Sequence, residues 1–276
     1  MRRDDFQFLA DLLKRACGVV LTPESAQGRL ERVAERSGFA SLSDLLSALR
    51  AGDEGCASAV IEALTVRDTA FFRDRAAFDM IREAVLPGLR MSRRLQKRLS
   101  IWSAACGTGQ EPYSLAMVFA GIPQFEGWDI DILATDVSAD AISRARAGVY
   151  SQAEIERGLP GRMLGYFQRE GDLWRVSPAI QARVRFEVSN LLDSFGERGP
   201  FDIIFCRNVL MYFEADTKAD VLDRLSRVLA DDGYLLMGSA ETLLGTSGCF
   251  ITPGNAHGLS MKAYATASPS GLPLTA

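Results

Sequence analysis

The stretch that most constrains this chain is the apolar run "LSIWSAA" (99–105), followed at once by "CGTGQEPYS" (106–114). A strand-length run that ends on two glycines, with a helical pattern behind it, is the strand–turn–helix unit of an open α/β sheet. A dinucleotide-binding turn reads G-x-G-x-x-G, and here the third glycine position holds Pro112, with Glu111 beside it. Pyrophosphate at a helix N-terminus needs free N–H donors and a close, uncharged approach. Proline lacks that donor, and a carboxylate repels phosphate. The pair therefore points to a phosphate-free, positively charged ligand, and S-adenosylmethionine, with its ammonium and sulfonium, meets that demand. A plainer role for Glu111 is to complement the dipole of the helix that follows.

Beyond this loop the pattern keeps alternating. "DIDILATD" (129–136), "VRFEVSN" (184–190), "FDIIFCRN" (201–208) and "GYLLMGSA" (233–240) read as further strands, most of them followed by helical segments. "LSMKAYA" (259–265) adds an antiparallel edge in this reading. Residues 148–186 mix short polar and aromatic pieces such as "YFQREGDLWRV" with Gly and Pro, and predict a small β subdomain inserted between the second and third strands. The expected fold is α/β: a Rossmann-like methyltransferase sheet over 99–265, preceded by a helical domain (1–75) and a basic linker (76–98), and followed by a disordered tail (266–276).

The helical domain is legible in its punctuation. Phe6, Leu9, Leu13 and Ala16 recur at helical spacing and Gly18 stops the run; Thr22-Pro23 opens a second helix that ends near Gly38. "SLSDLLSALRAG" and "EGCASAVIEAL" make a third and a fourth. Arg29, Arg32 and Arg36 stand at i, i+3 and i+7, on one face of the second helix. Residues 1–100 carry 17 Lys and Arg against 14 Asp and Glu, whereas 101–276 carry 14 against 21, so the front third is the part suited to an acidic partner. The run Arg93, Arg94, Lys97, Arg98 is a weaker signal of the same kind.

A net charge of -4 argues against a general nucleic-acid binder. The 5 cysteines are scattered without a C-x-x-C pair and His257 is the single histidine, so no metal site is expected. With no apolar run of membrane-spanning length, the chain is expected to be cytoplasmic, with reduced thiols. Cys106 and Cys206, at neighbouring strand ends, read as small packing residues rather than nucleophiles.

Five linked stretches resemble the chemoreceptor glutamate methyltransferases, the CheR family. They are "LTVRDTAFFRD" (64–74), "WSAACGTGQEPYS" (102–114), "ATDVSADAISRARAGVY" (134–150), "VSNLL" (188–192) and "FDIIFCRNVLMYF" (201–213). The resemblance implies an S-adenosylmethionine-dependent transferase that converts receptor glutamates into methyl esters and leaves S-adenosylhomocysteine. It implies cofactor contacts at Arg67, Thr69, Arg73, Glu111, Asp136, Asn190, Leu191, Arg207 and Asn208, and an active-site role for Arg73 and Tyr212. Arg67 stands where the family often has Asn, which leaves its side-chain role open. Arg73 suits a bidentate grip on the methionyl carboxylate. Arg29, Arg32 and Arg36 would meet the acidic helical bundle of a chemoreceptor's cytoplasmic part, with recruitment to receptor arrays, no nucleic acid, no membrane insertion and a monomeric enzyme. Some members also dock a receptor C-terminal pentapeptide through a longer glycine-containing loop of the β subdomain; the short "YFQREGDLWRV" implies independence of it. The competing readings are a methyltransferase for another acceptor, a non-catalytic receptor-binding module that senses S-adenosylmethionine, and, more distantly, an NAD-dependent oxidoreductase.

Overall fold

A computed structural model describes residues 1–21, 23–65, 68–243, 248–253 and 258–263. Helices α1 (Arg3–Cys17), α2 (Pro23–Arg36), α3 (Leu42–Arg50) and α4 (Glu54–Leu64) form the front of the chain. Gly18 ends α1, donating its N–H to the Lys14 carbonyl at 3.0 Å. Ser41 and Asp53 cap α3 and α4 by accepting from the N–H groups of Asp44 and Cys56. The four helices share their own core, in which Leu9, Leu13, Leu30, Leu45 and Val60 are fully buried. The buried stripe of α1 runs through Leu9, Leu13 and Cys17, while Phe6 and Ala16 sit at its half-buried margin. Thr22 lies outside the described residues.

The expected basic linker over 76–98 is instead largely helical. Helix α5 (Arg75–Met80) passes through a π-turn (Ile81–Val85) into α6 (Leu86–Ser92). Phe78, Ile81, Val85 and Leu89 recur at helical spacing and are buried in the same cluster as the sheet residues Ile101 and Ile203. That period is present in the sequence, but the arginines at the end of the segment masked it. Arg93 does structural work here, reaching Asp202 at 2.8 Å and Asp232 at 2.5 Å, and Arg98 pairs with Asp129 at 3.4 Å. Phe71 and Phe72 already belong to the sheet's cluster.

The sheet contains β1 (Arg98–Ala104), β2 (Asp129–Asp136), β6 (Val184–Val188), β7 (Phe201–Cys206), β8 (Leu229–Leu236), β9 (Phe250–Ile251) and β10 (Leu259–Lys262), in the order β6-β2-β1-β7-β8-β10-β9. The first five run parallel, and β10 is antiparallel to both neighbours. The antiparallel strand expected at the edge is therefore inside the sheet; the edge belongs to β9, a two-residue strand too short to leave a sequence pattern. The central parallel strands β1 and β7 are covered on both faces, which is why they read as nearly unbroken apolar runs. In β1 and β7, Ile101, Ile203 and Phe205 enter one core cluster, while Trp102, Ala104, Ile204 and Cys206 enter the other. Helices α7 (Gln110–Ala120), α8 (Ala139–Ala147) and α11 (Ala215–Val228) follow β1, β2 and β7. Between α8 and β6 lies the inserted antiparallel sheet β3 (Val149–Ser151), β4 (Phe167–Glu170) and β5 (Leu173–Val176), ordered β3-β5-β4, with short helices α9 (Gln152–Glu156) and α10 (Pro178–Gln181). The chain moves from β1 outward through β2 to β6 and then returns to the other side of β1 as β7, so the strand order reverses between β1 and β7. Ligands bind at the carboxyl ends of strands at such a reversal.

The helical domain is tied to that edge. Glu62 of α4 accepts from the Ser138 hydroxyl at 2.5 Å and the Asp140 N–H at 3.2 Å, and Lys14 pairs with Glu214 at 2.7 Å. Among the described residues no helix is long and apolar enough to cross a membrane. The expected tail lies outside the described residues.

Candidate active site

After Ala104 the chain turns through Ala105, Gly107 and Gly109, all with positive φ (58°, 56° and 92°). Gly109 precedes the first residue of α7, and a Cβ there would stand 2.9 Å from the Ala145 Cβ, so a side chain is sterically excluded as well as strained. Behind the loop, the buried Tyr150 hydroxyl donates to the Thr108 carbonyl at 2.7 Å. Pro112 occupies the first turn of α7, where a backbone N–H has no helical partner to lose. Asp136, at the end of β2, holds the loop from the front, accepting from the N–H of Gly107 at 2.8 Å and of Ser138 at 3.0 Å.

Glu111 projects from the first turn of α7. Its Oε1 accepts from the Ser103 hydroxyl at 2.8 Å and its Oε2 from Arg207 Nη1 at 2.9 Å. Arg207 follows the last residue of β7 and is only 5% exposed. Its Nη2 donates to the Asp74 carboxylate at 2.8 Å and to the Arg73 carbonyl at 3.0 Å. The charge of Glu111 is thus already matched by a neighbouring guanidinium, a pairing that linear separation hid. Arg207 turns its terminal nitrogens to Glu111 and to the turn that carries Arg73.

The sequence-derived residues converge. Thr69, Arg73, Glu111, Asp136, Asn190, Leu191, Arg207, Asn208 and Tyr212 line one cavity at the carboxyl ends of β1, β2, β6 and β7. Arg67 lies outside the described residues. The Arg73 guanidinium donates to the Asp68 carbonyl at 2.5 Å and pairs with the Asp68 carboxylate at 3.6 Å. Asn190 donates to the Ala16 carbonyl at 2.6 Å and accepts from the Leu192 N–H at 3.0 Å. Tyr212 sits in a short 3-10 turn (Leu210–Tyr212), its carbonyl accepting from the Val20 N–H at 2.8 Å. The Cys106 and Cys206 thiols are buried, which pushes both well above the usual thiol range and fits packing rather than nucleophilic work.

Four contributors were not singled out by sequence reasoning. Cys17 and Val19 bring the end of α1 to the cavity wall, and Asp68 faces both this cavity and the one beside it. Glu241, 8% exposed, accepts from backbone N–H groups in the loop after β7. Cys17 and Val19 are joined to the site only by tertiary contacts, whereas Asp68 is the residue before Thr69. The turn "GSAE" that ends in Glu241 was the one local signal.

Arg29, Arg32 and Arg36 line a second hollow together with Glu62, Asp140, Thr65 and Asp68, and the last two residues also border the first cavity. The basic face is real, and it looks across at carboxylates of both domains.

The first cavity fits S-adenosylmethionine. Its charged lining is Asp68, Glu111 and Asp136 against Arg73 and Arg207, an acidic excess, and the helix start that would cradle phosphate carries Glu111 and Pro112 instead. Among the described residues no cluster of His, Cys, Asp or Glu is arranged to hold a metal ion.

Comparison with known proteins agrees. Residues 67–257 match the family described as CheR methyltransferase, SAM binding domain, and residues 4–65 match CheR methyltransferase, all-alpha domain. The chain is 40% identical over 251 residues to chemotaxis protein methyltransferase 1 of Pseudomonas aeruginosa, covering 87% of this chain and 90% of that protein. It is 38% identical over 254 residues to chemotaxis protein methyltransferase Cher2 of Pseudomonas putida (87% and 91% covered) and 33% identical over 246 residues to the chemotaxis protein methyltransferase of Salmonella typhimurium (86% and 83% covered). The chain therefore belongs to the CheR family of methyltransferases and uses S-adenosylmethionine.

Proposed function

We propose that this enzyme methylates glutamate side chains in the cytoplasmic helical bundle of chemoreceptors, forming carboxyl methyl esters. The observation that carries the reading is the basic hollow of α2, which shares Thr65 and Asp68 with the cofactor cavity. An acidic helix laid against Arg29, Arg32 and Arg36 would bring its glutamates to the mouth of that cavity. All three arginines line that hollow.

When bound, S-adenosylmethionine supplies an electrophilic methyl group. Arg73 would hold the carboxylate of its methionine part, Glu111 and Asp136 its ammonium and ribose, and Asn190 and Leu191 its adenine. Asn208 borders the same ligand, and Arg207 fixes Glu111 and the Arg73 turn. Thr69 packs against the glycine loop, its Cγ2 3.3 Å from where a Gly107 Cβ would stand. An acceptor glutamate with a reference pKa of about 4.3 is ionised at neutral pH, so its own oxygen is the nucleophile and no protein base is needed. Tyr212 would orient that carboxylate. The work left to the protein is alignment and exclusion of water, and alignment alone reaches about 7 to 11 kcal/mol in well-oriented systems.

The turn between β4 and β5 is two residues long, Gly171-Asp172, and offers no extended loop to grip a peptide. We accordingly propose independence of a receptor C-terminal pentapeptide; micromolar binding of such a peptide in a titration would count against it. The acceptor is tested with methyl-labelled cofactor and a receptor cytoplasmic fragment, followed by mild alkali. Release of labelled methanol is expected. Alkali-stable label would identify another acceptor, and cofactor binding without any transfer would make the chain a sensing module.

A further inference from the structure

Glu241 is neither in the cofactor cavity nor on the surface. Its carboxylate collects four backbone donors: Oε2 accepts from Asn208 at 2.8 Å and Gly238 at 2.7 Å, and Oε1 from Val209 at 3.0 Å and Met211 at 3.3 Å. Three of these four belong to the loop after β7, the segment that carries Asn208 and Tyr212 into the cavity. The fourth, Gly238, lies two residues past the end of β8, the neighbouring strand. One side chain thus fixes the loop against the sheet.

The loop needs such a fixture. Asn208 has φ +58°, in the left-handed region that asparagine tolerates better than most non-glycine residues, and Glu241 holds its N–H in that conformation. Its N–H points into the protein, and without an acceptor it would be an orphaned buried donor. Gly238 permits the arrangement by approach distance: a Cβ there would meet Asn208 Nδ2 at 2.7 Å and Glu241 Oε2 at 2.9 Å. Strand, turn and loop are therefore fitted around one carboxylate.

We propose that Glu241 is a positioning residue for methyl transfer, acting through the backbone of residues 208–211 to hold Asn208 against the cofactor and Tyr212 beside the acceptor. The part concerning Tyr212 rests on the function proposed above; the part concerning Asn208 requires only that this cavity holds the cofactor. Charge and shape both matter, since an amide at this position would turn an N–H₂ toward N–H donors.

The test uses the full chain with Glu241→Gln and Glu241→Asp, S-adenosylhomocysteine binding by calorimetry, and transfer to a receptor fragment. Glu241→Gln should weaken S-adenosylhomocysteine at least about tenfold and lower kcat at least about tenfold, while the receptor KM stays within about threefold, because the α2 hollow is untouched. Glu241→Asp, which keeps the charge on a shorter arm, should fall between wild type and Glu241→Gln in both quantities. Wild-type affinity and kcat in Glu241→Gln would overturn the proposal. So would a loss that tracks the folded fraction and moves receptor KM in parallel. Should neither variant fold, NMR of the wild type decides: the amides of Asn208, Val209, Met211 and Gly238 should resonate downfield and be protected from exchange, and rapid exchange at all four would overturn it. Because cofactor binding is read without an acceptor, failure here is distinguishable from a wrong acceptor.

Discussion

Replacing Arg207 with Met keeps the apolar stem and removes the charge at the centre of the Glu111–Arg207–Asp74 cluster. The Arg207 side chain is 1% exposed, that of Glu111 14% and that of Asp74 35%, so the consequences differ for the two carboxylates. Asp74 can rehydrate, whereas Glu111 keeps only the Ser103 hydroxyl as a described partner. Removing one member of a buried pair costs about 3 to 5 kcal/mol, and the partial exposure of Glu111 to the cavity places this case near the lower end, at about 3 kcal/mol. At about 2 to 4 °C per kcal/mol for a chain of this size, the melting temperature should fall by about 6 to 12 °C. Calorimetric melting of Arg207→Met, Glu111→Gln and the double variant, under conditions where unfolding is reversible, separates pairing from packing. If the orphaned carboxylate is the cause, the double variant should be more stable than the sum of the singles predicts by about 1 to 2 kcal/mol. Additivity within about 0.5 kcal/mol, or a single-variant shift under about 2 °C, would refute the reasoning.

Three further outcomes are expected. Changing Arg29, Arg32 and Arg36 together to Gln should raise the receptor KM about tenfold at low salt, with kcat and S-adenosylhomocysteine affinity held, and the gap to wild type should narrow as salt is added; steady-state kinetics at two ionic strengths checks this. Gly109→Ala places a methyl against Ala145 at φ +92° and should destabilise the chain by about 2 to 4 kcal/mol, seen as a lower urea midpoint together with weaker cofactor binding. Hydrogen bonding to Arg50 holds the Asp5 carboxyl below its ordinary range, so the stability it contributes is present above the unfolded value, near about 3.9, and is lost as pH falls through the lower folded value. Asp5→Asn should therefore have a lower urea midpoint than wild type at neutral pH and approach it in acid; a difference that does not change with pH would sink the assignment.

Local signals in the sequence located what is local in the structure. Apolar runs marked β1, β2, β6, β7 and β8, and polar residues at their ends marked Asp136, Asn190, Arg207 and Asn208, because side chains there are the ones a parallel sheet leaves facing its ligand edge. What escaped was anything set by contact between distant segments. The arginines near residues 90–98 suggested a solvated linker, whereas the partners of Arg93, Asp202 and Asp232, are more than 100 positions away. Glu111 was read as a carboxylate placed for a cationic ligand or for the helix dipole, because nothing near it in sequence shows that Arg207 closes on it. Asp68 faces both hollows only because the segment before Phe71 crosses from one domain to the other.

The backbone strain of the molecule explains why these distant carboxylates and guanidiniums are placed as they are. Among the described residues, five non-glycine residues have positive φ: Phe72, Asp74, Lys97, Ala105 and Asn208. All but Lys97 belong to the loops that form the cofactor cavity or its support. Each such residue costs about 1 to 3 kcal/mol and persists only when its surroundings over-determine it. Here the surroundings can be named. The Phe72 N–H is bound by the Ser114 hydroxyl at 3.0 Å, Asp74 by Arg207, and Asn208 by Glu241, while Ala105 is held by its neighbour Cys106, whose N–H donates to the Thr135 carbonyl at 2.9 Å. A ligand whose methyl group must be aligned with an outside carboxylate gains from loops that do not rearrange on binding, since ordering them at that moment would cost affinity. Polar side chains and backbone groups around the loops, ionic in the case of Arg207 and Glu241, supply that rigidity. On this argument the anchors, Glu241 and Arg207 above all, should prove as sensitive to substitution as the residues that touch the ligand.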